Sequence, residues 1–379
     1  MSGLDLIKMG LNMDDAKVLF FSDSSMNIGG QELQALQQMH SLNALGYKTI
    51  LLCKPKSAIS IRARSDGVEV QEIPFRNAFH IPSLIKLFSV VKEKTPVAMF
   101  CHGSHDALIC ALVGMVQVFR TGKRVPVFRV KTFQHGYPLS FAYNYLFSGT
   151  VIPSNYLRSR FLANPAIDPN KLQVVYPGID FSALDSASEK LPDHALAWLV
   201  SHPGPVISHG AILRGEKGHG TILKALVEVK KVIPNVRYLI AGEGQDKPLL
   251  EAEIAALGLD DSVLLTGILK KIAPLLRKSD LAVLPSLVEP LGMFQIEAQY
   301  LEVPTIASRV GGIPETMLDQ QTGLMIEPGN VEQWANAITW MLSNPEPAKQ
   351  MAKAGKKMVV EKFSLNVNTN SLIGLFEKN

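Results

Sequence analysis

Cysteine is scarce: Cys53, Cys101 and Cys110 are the only three in 379 residues. They form no even framework and no metal-ligand spacing, which leaves buried thiols in a reducing compartment as the expectation. Aromatic residues make up 7% of the chain and are spread singly, so no stacking platform for nucleic acid is present. No low-complexity tract interrupts a composition that is 47% hydrophobic and 19% charged, which counts against long disorder. The first 15 residues lack the continuous apolar core of a secretory signal. The longest apolar run, 107–118, is too short to span a bilayer and is expected to form a buried helix. No solenoid period is visible. No Gly-x-Gly-x-x-Gly follows the first strand candidate, which argues against a dinucleotide oxidoreductase.

What is present is an alternation. Short β-branched runs at 17–23, 47–53, 69–74, 97–101, 125–133 and 149–153 are separated by helix-length amphipathic segments, the first at 31–45. The pattern breaks across 181–204, which is polar, proline-bearing and without a strand candidate, and restarts at 206–210, 236–241, 263–267, 281–285, 305–308 and 323–326. The expected fold class is therefore α/β, with two Rossmann-like doubly wound domains. The boundaries read as an N-terminal domain over 1–180, a linker over 181–204, a C-terminal domain over 205–362, and a final helix over 363–379 returning to the first domain. Charge is uneven as well. Residues 1–180 hold 19 Lys and Arg against 12 Asp and Glu, whereas the remainder holds 19 against 22. A basic half without interleaved aromatics suits an anionic substrate or an anionic membrane surface better than nucleic acid.

In doubly wound sheets, ligands sit beyond the carboxyl ends of the strands. The segment 280–297 ends an apolar strand at Pro285-Ser286, passes Glu289 and Gly292, and opens a helix near Met293. Main-chain N–H groups around Leu291, Gly292, Met293 and Phe294 would be unpaired there and available to phosphate oxygens. Glycine at 292 allows close approach of a ligand. Glu297, one helical turn inside, is placed to accept hydrogen bonds from vicinal ribose hydroxyls. The run 208–219 also follows a strand and opens a helix. Its Arg214 and Lys217 are candidates to neutralise a diphosphate, or are simply a solvated basic pair. Gly242-Glu243-Gly244 and Asn27-Ile28-Gly29-Gly30 are two further tight turns after strands, each weak alone. His102-Gly103 and His135-Gly136 close strands, and Arg129 and Lys131 either bind an anion or snorkel from the core edge.

Taken with Glu297-Ala298, 303–308, Gly311-Gly312-Ile313-Pro314-Glu315 and Thr322-Gly323-Leu324, the 280–297 segment resembles the C-terminal signature of retaining glycosyltransferase family 4, including bacterial lipopolysaccharide and envelope enzymes. That family has the GT-B fold, two Rossmann-like domains facing across a cleft. The likeness is dense over 204–330 and patchier before 180, where Gly29-Gly30-Gln31-Glu32 is similar to the family's Gly-Gly-x-Glu. It also includes 174–180, with Pro177 in place of the usual Asn.

The resemblance implies a retaining transfer of a sugar from a nucleotide-sugar donor to a glycan or lipid-linked acceptor, in envelope polysaccharide or glycolipid synthesis. No cofactor is implied. No Asp-x-Asp element or metal-ligand cluster is present, so no metal site is expected. By resemblance Glu289 and His135 are catalytic, with His102 and His105 as runners-up for the histidine. Gly30, Arg214, Lys217 and Gly242 border the donor, and Ile268 and Leu269 offer main-chain contacts to the base. One departure stands out: relatives carry Arg directly after the strand glycine, where this chain has Ala211-Ile212, and Arg214 matches their nearby second Arg. A nucleotide-sugar 2-epimerase, a sugar phosphorylase and an inactive nucleotide-binding subunit are the alternatives. The expected location is cytoplasmic, with peripheral contact to the cytoplasmic membrane face through Arg120, Lys123, Arg124, Arg158 and Arg160.

Overall fold

The computed structural model describes residues 16–133, 138, 140–186 and 188–377. Two compact units are resolved in the chain. The first runs to Ile179 and takes back the segment beginning at Leu365, and the second is Asp180–Ser364.

The first unit is a parallel sheet of seven strands: β1 (Val18–Asp23), β2 (Lys48–Cys53), β3 (Glu69–Glu72), β4 (Ala98–Cys101), β5 (Val127–Val130), β6 (Gly149–Ile152) and β7 (Leu172–Val174). Their order is β3-β2-β1-β4-β5-β6-β7. The near-continuous apolar runs have a physical reason, because helices cover both faces of a parallel sheet. Successive β1 residues go to opposite faces. Leu19 and Phe21 join Leu51, Ala98 and Phe100 against the helix Gly30–Ala44 and the returning helix Leu365–Glu377. Phe20 joins Ile50, Leu52 and Met99 against the helices Ile81–Lys94 and Ser104–Val116. The apolar 107–118 stretch is mostly that last buried helix, as expected. Cys53, Cys101 and Cys110 are free and buried.

The second unit is a parallel six-stranded sheet of β8 (Val206–Gly210), β9 (Arg237–Ala241), β10 (Val263–Gly267), β11 (Leu281–Leu284), β12 (Thr305–Ser308) and β13 (Leu324–Ile326). Its order is β10-β9-β8-β11-β12-β13. One face buries Ile207, Tyr238, Ile240 and Val283 beneath the helices His219–Val232 and Val331–Ser343. The stretch 181–204 is helical in two pieces, Phe181–Asp185 and Asp193–Ser201. It packs within this second unit: Leu191 and Ala195 lie against Val206, Leu239 and Leu275, and Phe181 stacks on Tyr300 at 4.1 Å between ring centroids.

Twelve of the strands fall where the sequence places them, within a few residues at the ends. The exception is β7, a three-residue edge strand. It is no shorter than β13, but Asn170, Lys171 and Gln173 break up its apolar run, and the motif at 174–180 masks its end.

Candidate active site at the carboxyl edge of the second sheet

Both sheets reverse direction of growth beside a central pair, β1 with β4 in the first unit and β8 with β11 in the second. That reversal opens a crevice beyond the carboxyl ends of the pair, because the two following connections depart to opposite sides. In the second unit the connections are 211–218 after β8 and 285–293 after β11. They carry Arg214, Lys217, Glu289, Leu291, Gly292 and Met293 of the sequence-derived candidates.

The two connections are tied together. The main-chain N–H of Leu287 donates to the carbonyl of Glu216 at 2.7 Å. Gly218 has φ +72° and leads the helix His219–Val232, and a Cβ there would sit 1.9 Å from the Pro285 carbonyl oxygen. Glycine is thus what lets the loops touch. A third loop holds the far side: the N–H of Gly312 donates to the Glu289 carbonyl at 3.0 Å, and a Cβ on Gly311 would overlap that same oxygen. Across this junction Lys217 Nζ lies 2.8 Å from Glu289 Oε2, with Ser286 Oγ donating to the same oxygen at 3.3 Å. Both partners of the ion pair are largely withdrawn from water, with side chains 16% and 11% exposed.

Glu297 lies in the first turn of the helix Phe294–Tyr300. Loss of hydration pushes its carboxyl group up to about 7, opposed only by the positive charge of Lys271. Among the described residues its carboxylate accepts no hydrogen bond. The main-chain N–H groups of Leu291, Gly292 and Met293 are likewise without an acceptor among the described residues. Leu291 and Phe294 have buried side chains, with Phe294 filling the space that a side chain on Gly210 would occupy. Their side chains serve packing, so only their main chain is available to a ligand. Met293 is exposed.

The remaining candidates sit nearby in the same unit. Arg214 is exposed and pairs with Glu216 at 2.7 Å. Gly242, following β9, has φ +154°, and a Cβ there would lie 1.9 Å from the Ala211 carbonyl oxygen, so the β8 and β9 connections touch through it. Gly242→Ala is therefore expected to destabilise the protein by about 1–3 kcal/mol, read as a lower urea midpoint with unchanged slope. After β10, Ile268 is exposed while Leu269 is partly buried against Leu239 and Leu275. Behind the crevice lies a group that sequence reading passed over. His209 and His219 stack at 4.4 Å, and His209 Nδ1 is 2.9 Å from Tyr238 Oη. Burial keeps His219 down at about 4 and His209 well below its usual range, so both rings are neutral near pH 7. Lys271 and Ser286 were also missed. The Lys270-Lys271 doublet after the proposed base-binding loop was the available signal for the first, and nothing marked the second.

In the first unit, Gly30 begins the helix Gly30–Ala44, and a Cβ there would meet nothing within 4 Å. Its lack of a side chain is not required by the chain's own packing. The preceding Gly29 N–H donates to Glu32 Oε2 at 2.8 Å. Arg129 is buried and gives its guanidinium to the carbonyls of Cys101 and Gly103 and to Ser104 Oγ, so it buttresses the turn after β4 and is not free for an anionic acceptor. Of the runner-up histidines, His102 is buried and held at about 4 by desolvation, whereas His105 is exposed. Asp23, at the carboxyl end of β1, was not anticipated. It is buried, raised to about 7 by desolvation, and its Oδ2 accepts no hydrogen bond among the described residues. His135 lies outside the described residues.

Residues 202–358, which lie within the second unit, match the protein family described as "Glycosyl transferases group 1". The chain is 32% identical over 197 residues to a D-inositol 3-phosphate glycosyltransferase of Segniliparus rotundus, a match covering 50% of this chain and 43% of that one. The chain spans about half the length of the curated relatives it matches. Among solved structures, a glycosyltransferase from Rickettsia africae superposes with TM-score 0.83 at 20% identity, over 96% of this chain and 98% of that one. Anabaena Alr3699/HepE in complex with UDP superposes with TM-score 0.78 at 18% identity, over 96% and 100%. The same protein has also been solved in complex with UDP-glucose. At these identities the likeness shows the fold, which is of the GT-B class.

Proposed function

We propose that the chain is a glycosyltransferase that moves a sugar from a nucleotide-sugar donor to an acceptor hydroxyl and keeps the donor's anomeric configuration. The observation that carries this reading is the Lys217–Glu289 pair at the switch point of the second sheet, with the unpaired Glu297 carboxylate one turn inside the next helix. In this reading the ribose occupies Glu297, and the base lies along the main chain of Ile268 and Leu269. The diphosphate takes Lys217, Arg214 and the free N–H groups of Leu291, Gly292 and Met293. Gly242 leaves room for the nucleotide, and Glu289 faces the donor sugar. Charge on the departing diphosphate is thereby met by cations and fixed dipoles, which lowers the barrier to its departure. The acceptor is proposed to be a glycan or lipid-linked molecule of the cell envelope, reached at the cytoplasmic membrane face by the basic first unit. No helix among the described residues is long and apolar enough to cross a membrane.

The test is product analysis with UDP-glucose and other nucleotide sugars, with and without acceptor alcohols, reading the new anomeric linkage by NMR. Transfer with retained configuration is expected. Conversion of the donor without any acceptor would replace this reading with epimerisation. Donor binding without turnover would make the chain a binding subunit. Dialysis against EDTA is expected to leave transfer intact, since cations and N–H donors already face the diphosphate. Activity lost on chelation and restored by Mg²⁺ would refute that part.

A further inference from the structure

A cavity of about 600 Å³ opens at the amino edge of the first sheet, opposite the edge where doubly wound sheets hold their substrates. Thr95 and Val97 come to it just before β4, Val125 and Pro126 just before β5, and Ser148 just before β6. Nothing in the proposed transfer reaction uses this place.

Its wall carries Arg120, Lys123 and Arg124, and no aspartate or glutamate lines it. Among the described residues none of these three cations is paired with a carboxylate. Arg120 Nε donates to Gln117 Oε1 at 3.1 Å. That bond fixes the orientation of the amide and leaves Gln117 Nε2, which is buried, with no acceptor. Arg124 gives its Nη atoms to the carbonyls of Tyr145 and Leu146, while its buried Nε has no acceptor either. Buried donors are normally satisfied, because an unpaired one forfeits its hydration without return. Both of these atoms are closed off from the space itself, whose lining carries three uncompensated cations. Across from them the wall is apolar, with Val91 from the helix Ile81–Lys94 and Phe376 from the returning C-terminal helix.

We propose that this cavity is a second ligand site, which takes a phosphate ester with its phosphate on Arg120 and Lys123, in the positive field of Arg124, and its organic part against Val91 and Phe376. Guanidinium forks and an ammonium group match the multiple acceptor oxygens and the charge of a phosphate better than the two oxygens of a carboxylate. The ester has two sources, a soluble phosphorylated metabolite or the headgroup of an anionic lipid. Phe119, 92% exposed, and the exposed Val116 and Val118 stand beside Arg120, an arrangement suited to a lipid surface.

Calorimetric titration of glycerol 3-phosphate and co-sedimentation with vesicles, performed on the whole chain, test the proposal and separate the sources. The variant R120A/K123A removes two cations that hold no backbone group, so the fold is expected to survive; K217A controls for phosphate binding at the donor site. Binding weakened about tenfold or more in R120A/K123A and retained in K217A supports the site. If that pattern is seen with phosphatidylglycerol vesicles and not phosphatidylcholine, the ligand is a lipid headgroup. If it is seen only with glycerol 3-phosphate, the ligand is a soluble ester. A wild-type protein that takes neither, or an R120A/K123A variant that binds as well as wild type, overturns it.

Discussion

If Glu297 holds the ribose as proposed, affinity for the nucleotide-sugar donor is expected to rise about tenfold per pH unit between pH 5 and pH 7 and to level off above, a gain of about a hundredfold in all. The cause is Glu297. To accept hydrogen bonds from two ribose hydroxyls its carboxyl group must be ionised, yet desolvation holds its pKa at about 7 in the free protein. Below pH 7 the donor therefore has to displace a proton. The sugar nucleotide is the right ligand for this measurement, because its diphosphate is doubly esterified and does not titrate in this range. His209 and His219 are neutral throughout it and add no slope. Glu297→Gln is expected to bind weakly and with no pH dependence. A wild-type affinity that is flat from pH 5 to 8 would remove Glu297 from the ribose site.

The same group affects stability in the opposite direction. Its folded pKa lies above the ordinary 4.5, so the unfolded chain ionises first and stability falls as pH rises from about 4.5 to 7. Asp23, also raised to about 7, acts in the same sense. Ligand that selects the ionised carboxylate offsets this loss, so the thermal shift produced by the nucleotide-sugar donor is expected to be larger at pH 8 than at pH 5.5.

How much of this was legible beforehand depended on whether the signal was local. Strands such as β8 and β12 were read to the residue because each is a short β-branched run bounded by turn residues and covered on both faces, as parallel strands inside a sheet are. Gly218, Gly242 and Gly311 were visible as glycines, but not the reason for them. Each sits where the main chain of another connection passes within contact distance, which is a property of the folded pair and not of either segment. The ion pair is the same kind of fact. Lys217 and Glu289 are 72 residues apart and were each assigned to ligand, whereas the fold sets them against one another. Arg129 stayed open between an anionic acceptor and the core edge for a related reason: its partners are the main-chain carbonyls of Cys101 and Gly103, which no side-chain pattern announces.

That pairing sets up the second large effect. Glu289→Gln is expected to lower turnover by about 10²–10³, the usual loss when a polar contact to the reacting centre is removed, while affinity for the nucleotide-sugar donor stays equal or becomes tighter. The second half follows from geometry. In the free protein Lys217 Nζ is 2.8 Å from Glu289 Oε2, so the carboxylate competes with the donor's diphosphate for that ammonium group. Neutralising Glu289 releases the lysine to the phosphates and lowers KM together with kcat. Lys217→Met has the opposite consequence. It weakens donor binding and also strands a carboxylate that is mostly withdrawn from water, for which loss of a partner costs about 3 kcal/mol or more in stability. The double variant Lys217→Met with Glu289→Gln removes the stranded charge and is expected to recover most of the stability but none of the turnover. Urea unfolding of the four proteins, closed as a cycle, gives the coupling between the two side chains, and donor titrations on the same samples give the binding side. A Glu289→Gln enzyme with wild-type turnover would take Glu289 out of the chemistry. A Lys217→Met protein as stable as the wild type would show that the pair is too well hydrated to hold the two connections together.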